Sequence, residues 1–259
     1  MSNNRLKKIF QKKSKNLLSI YITAGYPKID AMPKLAGVLA RSGVDFIEAG
    51  MPYSDPLADG PTIQHSSSVA LQNGIHLDLY FQQIKQIKEE TDLPLVFMGY
   101  FNQILKTGIQ NFLEKSTDAG IDALIIPDLT PEIYLAKYQS VFEAYNLPLV
   151  FLISPTTPLE RIQLIDKISK AFIYVVSSSA TTGKKGQFGS QEKAYFQRIA
   201  GLDLKNPTMI GFGIDSAEKY QMACKYANGA IIGSAFIKSL HGEDYLKNAE
   251  TFIEKVKKV

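Results

Sequence analysis

Short β-branched runs alternate with longer stretches of helical periodicity along the whole chain, and the alternation occurs eight times. The runs that read as strands are LLSIYIT (17–23), VDFIEA (44–49), LPLVFMGY (93–100), IDALIIPD (121–128), LPLVFLIS (147–154), FIYVVSS (172–178), PTMIGFG (207–213) and GAIIGS (229–234). Between them lie amphipathic segments such as AMPKLAGVLARSG, DLYFQQIKQIKEET, YLAKYQSVFEAYN, PLERIQLIDKISK and AEKYQMACKYAN. Several strand runs are apolar on both faces, the pattern of parallel strands covered by helices. Eight strands, each followed by helical material, predict an α/β chain folded as one (β/α)₈ TIM barrel over residues 1–259, with a short N-terminal helix. A doubly wound open sheet alternates in the same way but gives no reason for the count to reach eight. SGVDFIEAG, AGIDALIIPD and ANGAIIGS recur at helix-to-strand junctions as a repeated βα unit, and no linker or composition break divides the chain.

Charge adds little to this picture. The net charge is +4, and most of the excess sits in RLKKIFQKKSK near the start and KVKK at the finish. The segment LKKIFQKK places Leu6, Ile9 and Phe10 on one helical face, a pattern that can bind anionic lipid or nucleic acid. The chain lacks the larger basic footprint of a nucleic-acid binder, so the expectation is a helix packed on its own barrel with its lysines in water. No apolar core follows the basic start, and runs such as LPLVFLI are far too short to span a bilayer. The single cysteine, Cys224, excludes an internal disulfide framework. A cytoplasmic location is expected.

In a barrel of this kind function gathers at the C-terminal ends of the strands. Glu48 ends the second strand and shares side-chain parity with Val44 and Phe46. If that face is the barrel interior, Glu48 stands desolvated on the pocket floor with a raised pKa suited to acid/base work; if not, it is an ordinary solvated or lysine-paired carboxylate. The loop that follows, SDPLADGPT, carries Asp55 and Asp59 between prolines 56 and 61. Asp and Gly beside proline are common turn residues, but an exposed turn does not need two prolines to pin it.

The seventh and eighth strands run into IGFGI (210–214) and IIGSA (231–235), with a helix expected to begin at Ser234. Glycines there let backbone N–H groups approach an anion, and many barrels hold a phosphate at this place. A third glycine-rich segment, SSSATTGKKGQFG (177–189), follows strand six and reads as a mobile lid. Tyr21, Met98, Tyr100, Ile153, Tyr174 and Phe212 stand at strand ends between the acids and the glycines. Such residues are often simply core; together they suit a flat aromatic ligand with a phosphate tail. The histidines at 65, 76 and 241 show no metal-ligand spacing, and no nucleophile elbow or Walker loop is present.

EAGMPYSDPLADGPTIQ, MGYFN (98–102), TTG (181–183), GFGI (211–214) and GSA (233–235) together resemble the tryptophan synthase α-subunit family, from strand one through strand eight. The resemblance implies a barrel that cleaves indole-3-glycerol phosphate to indole and glyceraldehyde 3-phosphate. It implies no cofactor in this chain and a pyridoxal-phosphate-bearing β subunit as partner, in an α₂β₂ heterotetramer. By the same resemblance Glu48 is the catalytic acid/base and Asp59 the acid that stabilises positive charge on the indole nitrogen. Gly183, Gly211, Phe212, Gly213, Gly233 and Ser234 map onto the phosphate-binding loops. Tyr21, Met98, Tyr100, Ile153, Tyr174 and Thr182 map onto the indole pocket, and Asp55 and Asn102 onto segments facing the partner. Ser178 and Ala180 replace the arginine and glycine usual in the family's lid, and Ala49 stands where leucine is commoner. A stand-alone indole-releasing lyase, a chain that mainly activates its partner, and a sugar-phosphate isomerase are the competing readings. The last offers no reason for the aromatic pocket.

Overall fold

Eight parallel strands close into a barrel in chain order: β1 (Leu17–Thr23), β2 (Phe46–Gly50), β3 (Leu95–Met98), β4 (Ala123–Ile125), β5 (Leu149–Ile153), β6 (Ile173–Val176), β7 (Thr208–Gly211) and β8 (Gly229–Ile232). The computed structural model describes residues 5–56, 59–177 and 188–258. The ring is closed by β8 pairing with β1, in register from Leu17 opposite Gly229 to Ile20 opposite Ile232. The eight expected strands are therefore present. Their hydrogen-bonded cores are mostly shorter than the apolar runs, because residues such as Ile126 and Leu147 are buried outside the ladder.

The outer layer comprises α2 (Ala31–Arg41), α3 (Pro61–Gln72), α4 (Leu77–Glu90), α5 (Phe101–Thr107) and α6 (Ile109–Ala119) in the first half. A compound segment follows: α7 (Pro131–Ile133), a π-helical turn (Tyr134–Tyr138) and α8 (Gln139–Ala144). The second half adds α9 (Leu159–Ile168), α10 (Ser190–Ala200), α11 (Ala217–Tyr226), the short α12 (Ser234–Ser239) and α13 (Tyr245–Lys257). Side-chain alternation along each strand splits the apolar residues into two cores. Leu17, Phe46, Val96, Ala123, Val150, Met209 and Ile231 fill the barrel, while Ile20, Ile47, Phe97, Leu124 and Phe151 pack under the helices.

The N-terminal helix α1 (Arg5–Lys12) plugs the end of the barrel opposite the strand C-termini. Leu6 is fully buried in the interior core, and Phe10 lies 6.1 Å from Phe46 and 5.8 Å from Phe172, ring centre to ring centre. Lys7, Lys8 and Lys12 lie on the exposed face, as the amphipathic pattern required. Two acids at strand starts hold the plug. Asp122 accepts the Arg5 Nε–H at 3.0 Å and the Leu95 N–H at 3.0 Å; Asp45 accepts Lys13 Nζ at 2.6 Å and the Leu18 N–H at 2.8 Å. Each carboxylate thus closes a backbone donor of the ladder while pairing with a cation from the plug.

Asp122 is only 5 % exposed, so truncating it leaves the Leu95 N–H buried without an acceptor. Asp122→Ala is expected to lower stability by about 2 kcal/mol. Urea denaturation checks this, as a lower midpoint at unchanged slope.

Candidate active site

Glu48 is the third residue of β2, opposite Tyr21 on β1 and Val96 on β3. It shares its face with Phe46, which lies inside the barrel, so its carboxyl points inward. Val44 does not share that face: the strand begins at Phe46, and Val44 packs in the helix-side core. Glu48 is 1 % exposed, and its Oε1 has no hydrogen-bond partner. Loss of hydration penalises the ionised form, and burial pushes the carboxyl up to about 8. At neutral pH it is mainly a proton donor.

Asp59 enters from the loop before α3, which starts at Pro61 with the proline in the first helical turn. Burial raises the Asp59 pKa, and the Tyr100 hydroxyl, donating to Oδ2 at 3.1 Å, opposes the rise. Tyr100 sits at the N-terminus of α5, whose first N–H is held by Asp128: the Phe101 N–H lies 2.9 Å from Oδ1 and 3.1 Å from Oδ2. Gln103 Nε2 then donates to the Pro52 carbonyl at 2.8 Å, so α5 braces the loop that carries Asp59. The phenols of Tyr21 and Tyr174 are both buried; burial, and then the charges of Glu48 and Asp59, raise their pKa values, which keeps both as neutral hydroxyls. Each ring lies across a glycine of its neighbour strand. A Cβ on Gly50 would collide with the Tyr21 hydroxyl, and one on Gly211 with that of Tyr174.

These groups line one cavity of about 380 Å³ at the C-terminal mouth. Its walls include Tyr21, Glu48, Asp59, Met98, Tyr174, Phe212, Gly213, Gly233 and Ser234. Tyr100 stands behind Asp59 rather than on the main wall, and Gly211 lies beneath Tyr174. Ile153 is not part of it. Strand parity places Ile153 with Leu149 and Phe151 in the helix-side core, and the neighbouring Leu152 packs on the barrel interior instead. Thr182 and Gly183, with most of the expected lid, lie outside the described residues. Asp55 and Asn102 are on the rim; Asn102 Nδ2 donates to the Tyr53 hydroxyl at 3.0 Å.

At the other side of the cavity, Phe212 and Gly213 both have φ +67°. A positive φ at phenylalanine stores strain, and the Ser177 hydroxyl, donating to the Phe212 carbonyl at 2.7 Å, holds the turn. Consecutive residues of positive φ can turn backbone N–H groups to one side, and the N-terminus of α12 at Ser234 lies on the same cavity. Sequence reasoning did not single out Thr62, Ile63, Asp215, Ile231 or Lys238, which also line the cavity. The four-residue spacing of Ser234 and Lys238 on a short helix was the available signal for the last. A wider groove, about 700 Å³, opens at the plugged end around Lys7, Phe10, Glu143 and Lys170. Its one carboxylate, Glu143, is tied to Lys170 at 2.7 Å, so it offers no buried acid. Among the described residues no group of three or more His, Cys, Asp or Glu side chains is placed to hold a metal ion, and no helix is long and apolar enough to cross a membrane.

A buried acid and a second acid on the cavity wall thus share one mouth with the Phe212–Gly213 turn. Residues 6–259 match the family model described as tryptophan synthase alpha chain. The chain belongs to the tryptophan synthase α-chain family. It is 51 % identical to the tryptophan synthase alpha chain of Christiangramia forsetii over 98 % of each chain. The crystal structure of tryptophan synthase subunit alpha from Legionella pneumophila superposes with a TM-score of 0.88 at 31 % identity, covering 98 % of this chain and 97 % of that one. A chain of the tryptophan synthase complex from Pyrococcus furiosus gives a TM-score of 0.83 at 31 % identity, over 94 % and 97 % of the two chains. The tryptophan synthase α chain is a lyase of tryptophan biosynthesis that cleaves indole-3-glycerol phosphate.

Glu48 holds a proton in the folded state that the unfolded chain releases near the ordinary carboxylate pKa, about 4.3. The stability this contributes is complete below that value and is lost as pH rises toward about 8. Glu48→Gln is therefore expected to unfold at a higher temperature than the native chain at alkaline pH, with the two converging in mild acid; calorimetry across pH checks it. Tyr100→Phe removes the bond that lowers the Asp59 pKa, so the Asp59 carboxyl resonance is expected to titrate at higher pH in an NMR series.

Proposed function

We propose that this chain, acting as one (β/α)₈ domain over residues 1–259, cleaves indole-3-glycerol phosphate with Glu48 and Asp59 as its two working acids. The observation that carries the reading is the buried Glu48 carboxyl, unpartnered at Oε1 and facing the cavity at the mouth. The indole ring lies among Tyr21, Met98 and Tyr174, with Leu152 rather than Ile153 contributing from β5; Thr182 completes the pocket by family resemblance. The phosphate takes the N–H groups of the Phe212–Gly213 turn and of Gly233–Ser234, with Gly183 added by family resemblance.

The chemistry follows from these positions. Glu48, protonated at neutral pH, gives its proton to C3 of the indole, and the ring nitrogen takes up positive charge. Asp59, facing the ring N–H, stabilises that cation in a site shielded from water. The Glu48 carboxylate then accepts the proton of the glycerol hydroxyl next to the ring. The C–C bond breaks as the aldehyde forms, and its electron pair returns to the ring to leave neutral indole. One proton has moved from the hydroxyl to C3, and Glu48 ends as it began.

The partner reading rests on the rim. Among the described residues four large apolar side chains are exposed, and three of them, Leu105, Ile133 and Leu159, sit on elements that follow β3, β4 and β5. Asp55 and Asn102 lie on the rim as well, which supports a β subunit seated over this part of the mouth. Pyridoxal phosphate belongs to that β subunit, the assembly is α₂β₂, and the location is cytoplasmic.

The test is indole release from indole-3-glycerol phosphate by the purified chain, with and without a β subunit. Glu48→Gln and Asp59→Asn are each expected to cut turnover at least about 100-fold while far-UV circular dichroism stays unchanged. Full turnover in either variant removes that acid from the mechanism. Fast turnover indifferent to the β subunit makes the chain a stand-alone lyase.

A further inference from the structure

We propose that Lys238 binds the phosphate of the substrate and sets the preference for a phosphorylated over an unphosphorylated glycerol side chain. The proposal rests on the placement of the phosphate between the Phe212–Gly213 turn and Gly233–Ser234.

The charge inventory of the cavity motivates it. Three acidic side chains, those of Glu48, Asp59 and Asp215, line its walls, and Lys238 is the one basic side chain among the described residues that do so. A phosphate monoester carries a charge of about −1.5 to −2 near neutral pH, and among the described wall residues only Lys238 offers it a positive charge. Backbone N–H groups alone meet it with partial charges. The helix at this point, α12, has only 6 residues and too few aligned peptides to act as a strong dipole. A full positive charge at the phosphate end is the missing part of the site.

Two lysines stand near that end, and they differ in what they already do. Lys219 donates to the Gly213 carbonyl at 2.8 Å and to Asp215 Oδ2 at 3.1 Å, and its ammonium lies 5.6 Å from the centre of the Phe188 ring. It is committed to fixing the loop after β7 and to neutralising Asp215. The Lys238 ammonium makes no ion pair among the described residues, and the Lys238 backbone carbonyl lies 3.3 Å from His241 Nδ1.

Helix geometry directs the free lysine to the right place. Lys238 follows Ser234 by four positions in α12, which puts both on one face, about one turn or ~5.4 Å apart. Cα–Cβ bonds tilt toward the helix N-terminus, so the Lys238 stem runs back over the turn that carries Ser234 and Gly233. All three residues line the same cavity. Lys238 is exposed, so its charge works at the entrance in the presence of salt.

The experiment compares the native chain with Lys238→Met, which keeps the stem and removes the charge, and Lys238→Arg, which keeps the charge. Binding of glycerol phosphate is read by calorimetry, and KM and kcat for indole release are read at low and high ionic strength. Lys238→Met is expected to weaken glycerol phosphate binding and raise KM by about tenfold, with kcat within about twofold and a flatter salt dependence of KM. Lys238→Arg is expected to restore both affinity and salt dependence. Equal affinity and equal salt dependence in native and Lys238→Met chains overturn the proposal and leave the phosphate placement standing. A loss of kcat with KM unchanged overturns it too. A native chain that releases indole yet does not bind glycerol phosphate overturns the phosphate placement itself, and the proposal with it.

Discussion

A carboxyl group that is 1 % exposed, with one oxygen lacking a hydrogen-bond partner, is held against its own preference for water. Everything else at the mouth of this barrel is arranged around that constraint. Glu48 cannot turn outward, because the period-2 alternation of β2 fixes it on the face of Phe46, and slipping the register by one would put Ile47 and Ala49 inside instead. Nor can it pair with a basic side chain, because its ladder neighbours are Tyr21 and Val96. The closed sheet removes the alternatives, and the proton on Glu48 is the consequence.

The second acid is positioned by a different device. Asp59 comes from a loop, and loops do not inherit precision from a ladder. Its placement derives from α5, through the Tyr100 hydroxyl and the Gln103 amide, and from Asp128, whose carboxylate receives the first N–H of that helix. The two carboxyls therefore differ in environment: one is inside a rigid wall with no partner, the other is braced and hydrogen-bonded. Two acids whose surroundings push them differently are what a proton-relay reaction with separate acid and stabilising roles requires.

The barrel was legible because its signal is repeated: eight apolar runs with helices between them leave little freedom once the count is made. Glu48 was legible for the same reason, since its inward direction needs only the parity of Phe46 and a correct choice of interior face. Errors arose where a single residue shift matters. Position at a strand end and family resemblance put Ile153 in the pocket, whereas the register of β5 turns Leu152 inward and sends Ile153 beneath the helices. Val44 was counted into β2 because its run is apolar, although its burial is against the outer helices. The bonds of Asp128 to α5 and of Ser177 to the strained Phe212 carbonyl join residues 27 and 35 positions apart. No local pattern announces contacts of that range. The segment that follows Ser177 lies outside the described residues, so the expectations for Thr182 and Gly183 rest on resemblance alone.

The plug at the far end has a bearing on traffic. Phe10, Phe46 and Phe172 close one end of the barrel with rings 5.6 to 6.1 Å apart, and Leu6 is sealed behind them. Among the described residues the vessel is thus open at one end only. Substrate, phosphorylated product and the small aromatic product share a single doorway, and whatever sits on that rim decides which of them passes and in what order. A chain built this way cannot hand its aromatic product through its own floor; the handover has to be a property of the rim and of the molecule seated on it.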